Sequence, residues 1–234
     1  IHGVPEHWPR LMEPGKRTIG YTVWETDRLP DHWPALLQLP ERILVPCAMN
    51  RTLFEDSGVS CPVRVVPHIR RHAWNYVSPA DVADLKQQLG IPESHFVFHT
   101  IGTWDPRKAL SDLVTVFARE FSGDDRVSLV MKTSTAMHPD AVERLAGLDI
   151  PAFVDALKDK VREMSGRSSP HIVVVPADGI AGRAIDTLHA LGDCFVSLTH
   201  GEGWGMGAFD AACLGKPVLI TGYGGQCDYL GTDY

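Results

Sequence analysis

Residues 194–230, CFVSLTHGEGWGMGAFDAACLGKPVLITGYGGQCDYL, hold two carboxylates, Glu202 and Asp210, on either side of a glycine-rich turn. The turn joins a strand pattern to a helix pattern. Backbone N–H groups at a helix N-terminus can hold a phosphate. Gly203, Gly205 and Gly207 would let that backbone come close to one. Carboxylates accept paired hydrogen bonds from adjacent hydroxyls. A nucleotide-sugar carries both a diphosphate and hydroxyls, and needs both features. The string Gly203-x-Gly205-x-x-Ala208 also fits a dinucleotide fingerprint. Against that, the next strand, PVLIT, ends without the acid that would bind an NAD ribose.

Composition narrows the field. Hydrophobic residues make up 44% and charged residues 22% of the 234 positions, the balance of a soluble globular chain. No apolar run is long enough to span a bilayer, because charged residues or proline interrupt each candidate, and no signal peptide is visible. A net charge of -7 offers no general field for nucleic acid or an anionic membrane. The five cysteines are scattered with no Cys-x-x-Cys pair, so neither a disulfide framework nor a zinc site is expected and a reduced, cytoplasmic compartment fits.

The elements that must position these residues alternate. Strand patterns run over 18–24, 42–47 and 63–67, with a helix from 48 between the second and third. A polar, His- and Arg-rich connector follows. Further strands are predicted at 96–102, 127–133, 172–176, 194–198 and 217–221. These are near-continuous Val, Ile, Leu and Phe runs, as in strands buried on both faces. Helical patterns separate them: Leu110, Val114, Phe117 and Phe121 share one face, and so do Ile185, Leu188 and His189. Strand–helix alternation implies an α/β fold with a doubly wound parallel sheet. Ligands on such sheets bind at the carboxyl ends of the strands. The loops there hold Lys108, Lys132, Asp178 and Glu202.

The stretch HGEGWGMGAFDAACLGKPVLITGYGG resembles the donor-binding signature of GT-B glycosyltransferases of the family 4 type. Those proteins carry Glu-x7-Glu after the fourth strand of the C-terminal lobe, then a GxPV strand and a Gly-Gly turn. VPCAMNRTLFEDSGV with VRVVPH resembles the family's join between lobes. IGTWDPRKALSDLVTVFAREF resembles its first C-terminal strand and helix. The resemblance implies two Rossmann-like lobes: residues 1–67 a partial N-terminal, acceptor-side lobe, 68–80 a connector, and 81–234 the nucleotide-sugar-binding lobe. On this reading the first lobe is incomplete in this chain. Two departures stand out. Asp210 replaces the second Glu, and Thr103 replaces the family's phosphate-binding arginine, while Lys108 falls on its lysine.

The resemblance implies roles. Glu202 would bind hydroxyls of the transferred sugar and Asp210 the ribose diol. Lys108, with Arg107 or Lys132, would neutralise the leaving diphosphate. Asp178 and Gly179 would contact the base, and Gly224 and Gly225 would sit by the sugar. Where the family often places a donor-facing His, Trp24 and Glu25 stand, and Glu25 would orient the acceptor hydroxyl or help the oxocarbenium-like transition state. Plainer alternatives stand beside these. Glu202 could be a solvated turn acid and Asp210 an exposed helix acid. Lys108 could be a helix-start cation, and Asp178-Gly179 and Gly224-Gly225 structural turns. Glu25 could be a capping acid beside a core tryptophan.

The expected activity is transfer of a sugar from a nucleotide-diphosphate-sugar to an acceptor hydroxyl on carbohydrate, lipid or protein. The family implies retention of configuration and no metal or other cofactor; the lack of an Asp-x-Asp motif agrees. No nucleic-acid partner is expected. Peripheral membrane contact would fall to the part of the N-terminal lobe that the chain lacks. A sugar-nucleotide epimerase and a non-catalytic sugar-nucleotide-binding protein are the alternatives.

Overall fold

The structure, a computed structural model, describes residues 1–70, 77–134, 145, 147–176 and 182–231. By internal packing the chain divides into two units. One comprises Ile1–Ile69, Gly201–Phe209 and Gly222–Tyr234; the other comprises Arg70–His200 and Asp210–Thr221.

The first unit is built on a parallel three-stranded sheet in the order β1-β2-β3: β1 is Ile19–Tyr21, β2 Arg42–Val45 and β3 Val63–Val65. Gly20 pairs with Ile43, and Ile43 with Val63. Short helices α1 (Trp8–Leu11) and α2 (Trp33–Leu37), and the longer α3 (Ala48–Asp56), flank it. Trp8, Trp33, Leu37, Ile43, Val45, Phe54 and Val63 form its core. Gly20 is required here by close approach, because a Cβ would lie 2.5 Å from the Trp8 ring.

β1 is shorter than the 18–24 pattern suggests. After Thr22 the backbone is taken over by a side chain. Trp24 N–H donates to Asn50 Oδ1 at 3.0 Å, and Asn50 Nδ2 donates to the Trp24 carbonyl at 2.7 Å. A buried amide thus replaces a neighbouring strand as hydrogen-bond partner.

The second unit carries a parallel sheet in the order β6-β5-β4-β7-β8. Its strands are β4 (Phe96–Ile101), β5 (Val127–Thr133), β6 (His171–Pro176), β7 (Cys194–Ser197) and β8 (Val218–Ile220). The doubly wound order is the one the alternation of elements implies. The unit's helices are α4 (Pro79–Gln88), α5 (Leu110–Glu120), α6 (Ile150–Ser165) and α7 (Arg183–Leu191); α8 (Met206–Cys213) divides between the units at Asp210, and α9 (Cys227–Leu230) belongs to the first. Leu129 and Met131 of β5 pack with Leu113, Val114 and Phe117 of α5 and Val154 of α6 on one face. Val130, between them, packs on the other face with Val97, Val175, Leu188 and Leu191. Successive side chains of one strand therefore serve two cores, which is why the strands read as unbroken apolar runs.

Caps set the helix ends. Ser78 and Asp81 form a capping box at the start of α4. Asp149 accepts from Ala152 N–H at 2.8 Å to open α6, and Gly166, at φ 68°, closes it. No described helix is long and apolar enough to cross a membrane.

Candidate functional site

In the first unit the glycine run is pressed against the loop after β1. A Cβ on Gly201 would overlap the Glu25 carbonyl oxygen, and one on Gly203 would overlap a methyl of Val23 and lie 3.2 Å from the Trp24 carbonyl. The Gly224-Gly225 turn packs on the opposite flank. Gly225 N–H donates to the Glu202 carbonyl at 2.7 Å. A Cβ on Gly224 would sit 2.6 Å from that carbonyl, and one on Gly225 would overlap the Gly203 carbonyl. Two neighbouring segments thus fit against residues 201–204 only because four positions lack side chains. Gly205 takes the left-handed φ of 79° that turns the chain into α8, and its carbonyl accepts the first helical bond, from Phe209 N–H at 2.9 Å.

Glu202 is buried, with 8% of its surface exposed, between these two flanks. Burial of a carboxylate requires compensating polar partners, so a solvated turn residue is not what this position holds. Gly207 lies in the first turn of α8. Glu25 is half-buried and adjoins Trp24, whose ring meets Trp33 at a tilt with centroids 4.7 Å apart and whose Nε1 donates to Thr26 Oγ1 at 2.8 Å. This unit therefore brings together Glu25, Glu202, Gly203, Gly205, Gly207, Gly224 and Gly225. Trp204, buried in the same run, contacts Tyr229 at 4.8 Å and His68 at 5.8 Å between ring centroids.

In the second unit the loop after β4 is organised by Asp105. Its Oδ1 accepts from Arg107 N–H at 2.7 Å and Lys108 N–H at 3.3 Å, capping a 3-10 turn over Pro106–Lys108. The Asp-Pro start is a cap signal legible in the sequence. The Arg107 carbonyl accepts from Thr199 Oγ1 at 3.2 Å and His200 N–H at 2.8 Å, which fixes the turn at the end of β7. Lys108 lays its stem over Gly102, where a Cβ would be 3.8 Å from Lys108 Cδ. Lys132 pairs with Ile101 and Val175 at the carboxyl ends of β4–β6, half-buried. Thr103, at the departure from the family pattern, sends its hydroxyl toward Asp105 Oδ2 at 3.4 Å.

Asp210, on α8, is half-buried. Burial raises its carboxyl above the ordinary value; the nearby Arg70 guanidinium opposes this and Asp186 adds to it. Arg70 and Asp186 form an ion pair at 3.0 Å. Asp210 is therefore neither a fully exposed helix acid nor isolated. Asp178 and Gly179 lie outside the described residues.

Sequence reasoning passed over Asn50, Asp105, Thr199 and Asp228. Only Asp105 carries a local signal. The others act on segments distant in the chain.

No protein-family model and no curated protein sequence matches the chain. Solved structures do. HepE of Anabaena, in complex with UDP-glucose, superposes with a TM-score of 0.65 at 17% identity, over 92% of this chain and 57% of HepE. The chain has the GT-B glycosyltransferase fold. A glycosyltransferase from Rickettsia africae gives a TM-score of 0.66 at 13% identity, over 91% of this chain and 54% of its own. TarM of S. aureus, solved with UDP, gives 0.61 at 10% identity, over 94% of this chain and 40% of TarM. The chain thus spans about half the length of the structures it matches. At such identities the likeness fixes the fold, and the chemistry must be argued from the site.

Proposed function

We propose that this chain belongs to a glycosyltransferase that moves a sugar from a nucleotide-diphosphate-sugar to an acceptor hydroxyl, with retention and without a metal. The observation that carries the reading is a buried carboxylate, Glu202, set in a glycine run that leads into the N-terminus of α8. Glu202 accepts hydrogen bonds from the transferred sugar's hydroxyls, and its charge favours the positive character that develops at the anomeric carbon as the diphosphate leaves. The amides at the start of α8 meet the phosphates. Lys108, with Arg107 and Lys132, neutralises the leaving diphosphate, a charge-stabilising role that is commonly the largest catalytic contribution. Asp210 holds the ribose diol. Glu25 orients the acceptor hydroxyl. Base contacts fall to Asp178 and Gly179, and sugar contacts to Gly224 and Gly225. Because HepE is seen with UDP-glucose, UDP-glucose is the first donor to test.

The experiment is donor turnover with UDP-glucose, read as UDP release in excess EDTA, with the anomeric configuration of the product followed by NMR. Glu202→Gln should keep UDP affinity and lose about 10²-fold or more in turnover. Lys108→Ala should weaken UDP far more than uridine. Free epimerised UDP-sugar would mark an epimerase instead. Tight donor binding without turnover of any acceptor would mark a binding protein. Unchanged turnover in Glu202→Gln would remove its assigned role.

A further inference from the structure

Helix α3 has a weak cap of its own. Its N-cap residue is Cys47, whose sulfur faces the Met49 and Asn50 amides without a full capping hydrogen bond, at a position where Ser, Thr, Asp or Asn ordinarily serves. Asp228, 180 positions away, takes that place: its Oδ2 accepts from Ala48 N–H at 2.7 Å. A carboxylate there also meets the positive end of the helix dipole.

Asp228 belongs to α9, and α9 is tied to the glycine run. Its own N–H donates to the Gly225 carbonyl at 3.2 Å, and Gly225 N–H donates to the Glu202 carbonyl at 2.7 Å. Tyr229 Oη donates to the Gly205 carbonyl at 3.0 Å while its ring lies on Trp204. With no room for a Cβ at Gly224 or Gly225, the segment from 224 to 229 is a closely fitted bar. One end meets the first turn of α3 and the other meets the backbone of Glu202.

We propose that Asp228 is a positioning residue for Glu202. By locking the 224–225 turn to the N-terminus of α3, it fixes the backbone from which the Glu202 carboxylate projects. Asp228 itself makes no contact with the donor. The inference rests on the glycosyltransferase reading for its ligand consequences only, since the lock is a property of the chain.

The test uses Asp228→Ala and Asp228→Asn in the intact chain, with calorimetry on UDP and UDP-glucose and amide exchange at Ala48 and Gly225. In Asp228→Ala, UDP affinity should hold while UDP-glucose weakens about tenfold, the scale of one charge-assisted hydrogen bond lost. Both amides should exchange about tenfold faster or more. Asp228→Asn keeps an acceptor but not the charge, and should restore part of both; it carries the test if the alanine variant does not fold. Equal weakening of both ligands, or unchanged UDP-glucose affinity, would overturn the proposal. So would faster exchange at Ala48 with none at Gly225. If the native protein binds neither ligand, the functional reading falls, and exchange alone decides: faster Gly225 exchange upholds the lock and unchanged exchange refutes it.

Discussion

Acid should unfold the five-stranded sheet through one buried pair of histidines. His99 and His189 are each 1% exposed. His99 Nδ1 lies 3.0 Å from the Cys194 carbonyl, which can only accept, so that nitrogen carries a proton. His99 Nε2 lies 3.0 Å from His189 Nδ1. In the neutral pair His99 Nε2 accepts and His189 Nδ1 donates, leaving no place for a second proton between them. Burial depresses both, His99 to about 4 and His189 to about 3, with the charges of His99, Arg70 and Lys216 adding to the effect at His189. The unfolded chain, near the ordinary value of about 6.5, binds these protons first. Stability is therefore complete above about pH 6.5 and falls as pH drops from there toward 4. Each histidine contributes a slope of about 1.4 kcal/mol per pH unit, so the pair gives up to about 2.7. Across this window the loss grows to a large share of the stability of a modest domain. His189→Leu isolates the effect. At pH 7.5 the variant should be less stable by about 1–3 kcal/mol, because His99 Nε2 loses its donor in a buried site. It should also lose one proton-uptake site, so its curve is shallower by about 1.4 kcal/mol per unit below pH 6.5 and meets the native curve between about pH 4 and 6. Urea unfolding by circular dichroism from pH 7.5 to 4.5 measures both slopes. Curves that stay parallel across this range would refute the argument.

Other outcomes follow from single contacts. Gly203→Ala should cost about 1–3 kcal/mol, because its Cβ overlaps Val23; adding Val23→Ala should recover part of the loss in thermal unfolding, and simple additivity would deny the contact. Ala109 is the single described non-glycine residue with positive φ, at 51°. Ala109→Gly should leave the protein as stable or up to about 1 kcal/mol more stable, since left-handed strain of about 1–2 kcal/mol outweighs one buried methyl; a melting point that drops by several degrees would contradict this. Asp210 has a raised carboxyl, so UDP-glucose affinity, if Asp210 holds the ribose as a carboxylate, should decline on acidification sooner than an ordinary aspartate dictates. Asp210→Asn should flatten that decline in calorimetric titrations, and an unchanged pH profile would take Asp210 out of the donor site.

Much of the fold is legible because burial on both faces leaves a blunt mark. β5 occupies the predicted 127–133, and β4 stops one residue short of 102. β1 is misjudged because what ends it, Asn50 gripping Trp24, lies on a helix some 26 positions away. The Ser78-Pro79-x-Asp81 capping box and the Asp105-Pro106 start are local and could have been read directly. The Asp228 cap could not, since nothing near Cys47 announces it. His189 is a subtler case. Its place on the apolar face with Ile185 and Leu188 is visible in the spacing. That the face is dry enough to need a partner for the ring is known only once β4 brings His99 alongside.

The glycine run shows how a motif can mark two things at once. Its glycines suggest close approach to a phosphate, yet Gly201, Gly203 and Gly225 are each required by protein neighbours, and Gly205 by its backbone angle. They would be needed even if no ligand ever bound. Their presence therefore carries less weight for a donor site than their spacing suggests. Glu202 carries more. Packing alone would place an apolar residue in an 8% exposed position between two tightly fitted loops. A carboxylate there costs desolvation and has to be met by polar partners, so an acid at this position points to a polar role that packing alone does not supply. The discriminating comparison is thus Glu202→Gln against Gly203→Ala. The first should spare folding and remove turnover, while the second should strain folding whether or not a sugar binds.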